Sequence, residues 1–142
     1  MILLFKRLTS LLCALVLSIS FGVCNTANAA VVTPDAPAYS YTNECNSYLS
    51  VSGTTATCES YATGYYNKTD KVVIKQILQK KTSSVSWEDV CSWTTTVYSF
   101  HGSAINNKYS LSSGTYRLKT VFTVYAGTSY ETITKYSKEK TI

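Results

Sequence analysis

The chain contains one histidine, two prolines, one methionine and six glycines in 142 residues, with eight acidic side chains against thirteen basic ones. With a single histidine, any Cys-His or Ser-His-Asp machinery must pass through His101. No Gly-x-Ser-x-Gly elbow accompanies it, and next to Gly102 it reads as a solvated loop residue. No C-x-x-C or H-x-x-H spacing lets one turn present two metal ligands, so neither a metal site nor a cofactor is expected. Glu88 and Asp89 are adjacent; on a strand they would point to opposite faces and could not flank one bond. They read instead as a turn ahead of a strand. No Lys/Arg stripe of the kind a nucleic-acid binder carries is present. Asn67-Lys68-Thr69 has the form of a glycosylation acceptor and otherwise reads as a plain loop.

Apolar runs are equally scarce after the first one. Lys6 and Arg7 precede the run Leu8 to Val23, and Cys24 to Ala30 then turns polar and small. These are the three regions of a secretory signal peptide, with Ala27-Asn28-Ala29 as an A-x-A site placing cleavage before Ala30. Thr9, Ser10, Ser18 and Ser20 interrupt the run, whereas a spanning helix needs about 20 predominantly apolar residues. A retained anchor is the weaker reading. Lipidation at Cys24 is disfavoured by Val23, which stands where such signals place a small residue. The expected organisation is a signal peptide over 1–29, an extended lead-in over 30–46 holding both prolines, and one domain over 47–142. No Leu-Pro-x-Thr-Gly anchoring signal ends the sequence, so the expected product is secreted, extracellular, and without a membrane contact once cleaved. It keeps eleven basic and eight acidic groups, a nearly balanced surface.

From Tyr48 onward Thr, Ser, Tyr and Val dominate, residues that suit a half-buried pleated surface. Turn signals recur at Ser52-Gly53, Gly64 with Asn67, Ser83-Ser84, Asn106-Asn107, Ser113-Gly114 and Ala126-Gly127, leaving about seven strand candidates. Ser47 to Val51 and Thr54 to Ala62 form a hairpin, with Ala56, Cys58, Ser60 and Ala62 sharing a face. Lys71 to Lys80 fits helical spacing through Val73, Ile74, Ile77 and Leu78. It fits alternation through Val72, Ile74, Gln76 and Leu78, and its β-branched content favours the strand. Val90 to Phe100 and the short Lys108 to Leu111 follow. Thr115 to Tyr125 carries the strongest alternation, with Tyr116, Leu118, Thr120, Phe122 and Val124 expected to face the core. Tyr130 to Ser137 closes the series. This pattern predicts an all-β, antiparallel sandwich or barrel. Gly114-Thr115-Tyr116 entering the sixth strand fits a tyrosine corner.

Five stretches, Tyr48-Leu49-Ser50-Val51-Ser52-Gly53, Ile77-Leu78-Gln79-Lys80, Trp87 with Val90 and Trp93, Ser113-Gly114-Thr115-Tyr116-Arg117-Leu118-Lys119, and Glu131 with Tyr136-Ser137, carry a resemblance. Over Tyr48 to Ile142 the chain resembles an uncharacterised family of small secreted proteins of Gram-positive, clostridial-type bacteria. The resemblance implies a single immunoglobulin/fibronectin-like β-sandwich of about seven strands in an extracellular setting. It transfers no catalytic residues.

Removal of the leader would take Cys13 and Cys24, leaving Cys45, Cys58 and Cys91. A Cys45–Cys58 disulfide across the first hairpin is one outcome, Cys58–Cys91 a second, and three small buried thiols a third. The aromatic content is the remaining functional signal. Of twelve tyrosines, Tyr65, Tyr66, Tyr98, Tyr125, Tyr130 and Tyr136 are candidates for exposed binding positions, since Tyr offers large contact area and a hydrogen-bonding tip at low entropy cost. Their competing role is ordinary cross-strand pairing. The expected function is a non-enzymatic extracellular module that binds a glycan or protein surface. A small secreted effector, a bacteriocin-like toxin or a hydrolase inhibitor, is the alternative, and an enzyme the third.

Overall fold

A computed structural model describes residues 39–142; the signal peptide, its cleavage site and the first part of the lead-in lie outside the described residues. The described chain is all strand and turn. Its elements are β1 (Thr42–Ser52), β2 (Thr55–Gly64), β3 (Lys71–Lys81), β4 (Trp87–Val97), β5 (His101–Lys108), β6 (Thr115–Ala126), β7 (Ser129–Tyr136) and the two-residue β8 (Lys140–Thr141). All pairs are antiparallel. One sheet runs β1-β2-β5 and the other β4-β3-β6-β7, with β8 continuing along β6 where β7 leaves it. The chain changes sheet at β2–β3, β4–β5 and β5–β6, which gives an immunoglobulin/fibronectin-like sandwich.

The first hairpin turns on Gly53 and Thr54, with Ser52 opposite Thr55. Gly53 takes a φ of 56° and Thr54 does not share the positive sign, the pattern of a type II′ turn that matches strand twist. β3 is a strand, and its core face is the alternating set Val72, Ile74, Gln76 and Leu78, all fully buried. In β6, Tyr116, Leu118, Thr120, Phe122 and Val124 face inward as their alternation requires. The tyrosine corner is present: the Tyr116 hydroxyl donates to the Ser112 carbonyl at 2.7 Å.

The interior is layered along the strands. One apolar cluster joins Cys45, Ala62, Val72, Ile74, Ala104, Phe122, Val124 and Ile133, with Tyr39 and Tyr41 packed on it. The other joins Leu49, Ala56, Cys58, Leu78, Leu111, Tyr116 and Leu118, with Val51, Cys91, Trp93 and Ile142 against it. Between them lies a polar layer. Thr120 shares hydrogen bonds of 2.8 Å with Ser47 and Ser60. The Gln76 amide nitrogen reaches Ser60 Oγ and the carbonyls of Cys58 and Ala104, and its oxygen accepts from Asn106 at 2.8 Å. Buried polar groups are tolerable when satisfied in this way.

Several boundaries differ from the sequence reading. β1 begins at Thr42 rather than Ser47, because its early residues find partners along β2 up to Gly64. Glu88 and Asp89 lie inside β4 instead of a turn: Glu88 pairs with Lys80 and Asp89 with Gln79 before a register shift. The fifth strand is His101–Lys108, not Lys108 to Leu111, so Asn106 and Asn107 sit in a strand opposite Cys58 and Thr57. Leu111 follows it as a buried anchor, its amide donating to the Thr54 carbonyl at 3.0 Å.

The Cys45–Cys58 bridge is excluded by register. Cys45 pairs with Ala62 and Cys58 with Leu49, an offset of about 13 Å along the strands, twice the span a disulfide allows. The two residues also belong to different apolar clusters. Cys45, Cys58 and Cys91 are free thiols; Cys45 and Cys58 are small core hydrophobes, while Cys91 is half-buried against the Leu78 cluster. Burial pushes all three thiols up from their ordinary value, Cys58 to about 12, which keeps them protonated and unreactive near neutrality.

Candidate functional site

Antiparallel geometry puts the start of β1, β3, β5 and β7 and the finish of β2, β4 and β6 at one end of the sandwich: Thr42 lies opposite Gly64, Thr63 opposite His101, Lys71 opposite Tyr125, and Tyr125 opposite Tyr130. Three connections therefore emerge together, 65–70, 98–100 and 127–128. Five of the six tyrosines singled out from sequence ride on them or their flanks. Tyr66 is 77% exposed, Tyr98 83% and Tyr130 62%, and Tyr65 and Tyr125 are less so.

The connections are tied to one another. Gly64 N–H donates to the Phe100 carbonyl at 2.6 Å, Tyr65 N–H to Tyr41 at 3.2 Å, and Asp70 N–H to Tyr125 at 3.0 Å. The Asp70 carboxylate accepts from Gly127 N–H at 2.8 Å. Glu131 accepts from the amides of Ser40 and Tyr41, both at 2.9 Å, clamping the segment that leads into β1. The Thr69 hydroxyl donates to the Tyr41 carbonyl at 2.6 Å, and a Cβ placed on Gly64 would collide with that Thr69 side chain; only glycine lets the connection fold back here.

The rings are similarly fixed. Tyr66 meets Phe100 edge-on at 5.1 Å, and Tyr125 tilts against Tyr130 at 5.5 Å, both within the range of favourable aromatic pairs. The Lys71 ammonium sits 3.6 Å from the Tyr125 ring centre, a cation–π contact. Lys68 and Lys71 balance Asp70 and Glu131, and both carboxylates are already occupied by backbone donors. The end thus presents phenol hydroxyls and ring faces with little net charge, an arrangement suited to stacking and hydrogen bonding.

The sixth candidate, Tyr136, lies elsewhere. It sits on β7 toward the opposite end, where Arg117 is held between two rings, 4.4 Å from Tyr136 and 4.1 Å from Trp87. Arg117 Nε donates to Gln79 Oε1 at 2.8 Å, and Gln79 donates to Asp89 at 2.7 Å. His101 is the exposed first residue of β5 rather than a loop residue, its Nδ1 2.9 Å from Thr63 Oγ1. Among the described residues no group of three His, Cys, Asp or Glu side chains converges.

Two aromatic features escaped the sequence reading. By sequence Phe100 is only the end of a strand, yet it is the ring on which Tyr66 rests. Tyr48 and Tyr61 stack at 6.2 Å on the outer face of the three-stranded sheet; alternation alone places both outside, since Ser47, Leu49, Ser60 and Ala62 point in. The Tyr61 hydroxyl donates to Glu44 at 2.8 Å and accepts from Asn46 at 2.9 Å. The Glu44 bond raises its pKa above the usual phenol range, with Asn46 acting against it.

No family model and no curated protein matches this chain. Among solved structures, wild-type OgpA from Akkermansia muciniphila is similar at 14% identity with a TM-score of 0.42, over 78% of this chain and 33% of that one. The chain spans about a third of that protein's length.

Proposed function

We propose that the chain is an exported, non-enzymatic binding module that recognises an extracellular glycan or protein surface through the tyrosine-rich end of its sandwich. The observation that supports this is the convergence of Tyr65, Tyr66, Tyr98, Tyr125 and Tyr130 from three separate connections, on backbone held by hydrogen bonds between those connections. Loops clustered at one end of a sandwich are a recurrent recognition surface, and rigid aromatic anchors lose little entropy on binding. The leader expected over 1–29 supplies the address.

The test uses purified chain, immobilised and screened against glycan and extracellular-protein arrays, beside a Tyr66→Ala/Tyr98→Ala double variant. Both side chains are largely solvent-exposed, so the fold should survive. A ligand whose affinity drops about tenfold or more in the double variant, and is unchanged in a control at the far-end residue Val85→Ala, supports the reading. A ligand bound equally by all three proteins overturns it. Mass spectrometry of the protein recovered from culture medium tests export separately: the expected mass begins at Ala30.

A further inference from the structure

A second site lies where the two sheets meet along one edge. β1 borders only β2, and β7 borders only β6, so the sandwich is open between them. A cleft of about 370 Å³ occupies this seam, lined by Ser47, Tyr48 and Leu49 of β1 and by Tyr136, Lys138 and Lys140 of the chain running from β7 into β8. That volume lies within the range of small-ligand pockets. Its lining is asymmetric: two tyrosines and two lysines, with no carboxylate among the lining residues.

Neighbours hold the side chains of both tyrosines in place. Tyr48 stacks on Tyr61, whose hydroxyl is fixed by Glu44 and Asn46. Tyr136 backs onto Arg117, itself gripped by Trp87 and Gln79. The nearest acid along the chain, Glu139, is engaged by Lys81 at 3.1 Å, which leaves Lys138 and Lys140 as the charges of the cleft. Ser47 is bonded inward to Thr120, so the floor is settled as well. Preorganised walls of this kind reduce the ordering cost of binding.

We propose that this cleft binds a carboxylate-bearing sugar ring, a uronic-acid unit of an acidic glycan. A pyranose offers an apolar face for Tyr48 or Tyr136, and its carboxylate would meet the ammonium groups of Lys138 and Lys140 in a charge-assisted hydrogen bond. The site is separate from the tyrosine-rich end and does not depend on it: the two share no residue.

The experiment titrates the purified chain with trigalacturonate, uncharged maltotriose and inorganic phosphate at low ionic strength, following amide shifts by NMR. The expected result is saturable binding of trigalacturonate with shifts at residues 47–49 and 136–140, weakened by added salt. The affinity falls about tenfold or more in Lys138→Gln/Lys140→Gln and in Tyr48→Leu, and stays unchanged in Val85→Ala, an exposed position outside the cleft. Equal binding of maltotriose would overturn the role of the charge, and equal binding of phosphate would overturn the role of the ring. No shift at the seam with any of the three would overturn the site. The lysine variant alters exposed side chains only, and an unchanged amide spectrum away from the seam verifies its fold.

Discussion

Gln76 shows how a single residue can be legible in position and illegible in role. Alternation places it on the inner face of β3 beside Val72, Ile74 and Leu78, and a lone polar group in such a row signals either an error of pattern or a buried network. Which one depends on residues 16 to 30 positions away, Ser60, Cys58, Ala104 and Asn106. Those partners are set by topology, not by local sequence. Gln76→Ala strands the Asn106 amide and removes a donor from two buried carbonyls, in addition to opening a void. The expected loss is about 2–4 kcal/mol of unfolding free energy, measured as a lower urea midpoint with unchanged slope. A loss below about 0.5 kcal/mol would mean that water replaces the amide without penalty.

Elements were legible in proportion to how strongly each stretch carries its own pattern. β6 alternates large apolar residues with polar ones and β3 is rich in β-branched residues, and both fall where the sequence places them. β5 has Gly102, Ala104, Asn106 and Asn107, weak strand formers whose local pattern is that of loop and turn. It is a strand because β2 offers it a full row of partners from Ala56 to Thr63. Its small residues also let it approach the other sheet, since a Cβ on Gly102 would stand only 3.3 Å from Val72. The cysteine reading failed for a different reason. Moving the turn by one residue, from Ser52-Gly53 to Gly53-Thr54, shifts every partner on β2 and sets Cys45 and Cys58 four positions apart. The connection before β6 can be tested directly. Tyr116→Phe keeps the ring in its cluster and deletes only the hydroxyl bond to Ser112, so the expected cost is about 1 kcal/mol, read by thermal melting. A change much larger than this would show that the hydroxyl also organises the 109–114 connection.

At the scale of the whole molecule, the tyrosines of the candidate site were visible one by one, but their meeting at one end was not, because it requires knowing which strands run which way. The layered interior has a consequence for that site. Tyr39 and Tyr41 pack on the cluster containing Phe122, and the Tyr41 backbone is a hub for Tyr65, Thr69 and Glu131. The cluster containing Leu118 lies on the far side of the polar layer. Phe122 and Leu118 are four residues apart on β6, about 13 Å, far enough for their effects to add. Phe122→Ala should cost about 3–5 kcal/mol and Leu118→Ala about 2–5 kcal/mol. Each is expected to shift a single unfolding transition, because β1, β2, β3 and β6 each contribute to both clusters and the Thr120 and Gln76 bonds link the sheets between them. Their effects on the tyrosine-rich end should differ. Under conditions where both variants remain folded, Phe122→Ala should speed amide hydrogen exchange at residues 64–70, while Leu118→Ala leaves it near the parent rate. Equal acceleration in the two variants would show that the polar layer transmits packing defects, and that the binding end is supported by the core as one body rather than by the cluster beneath it.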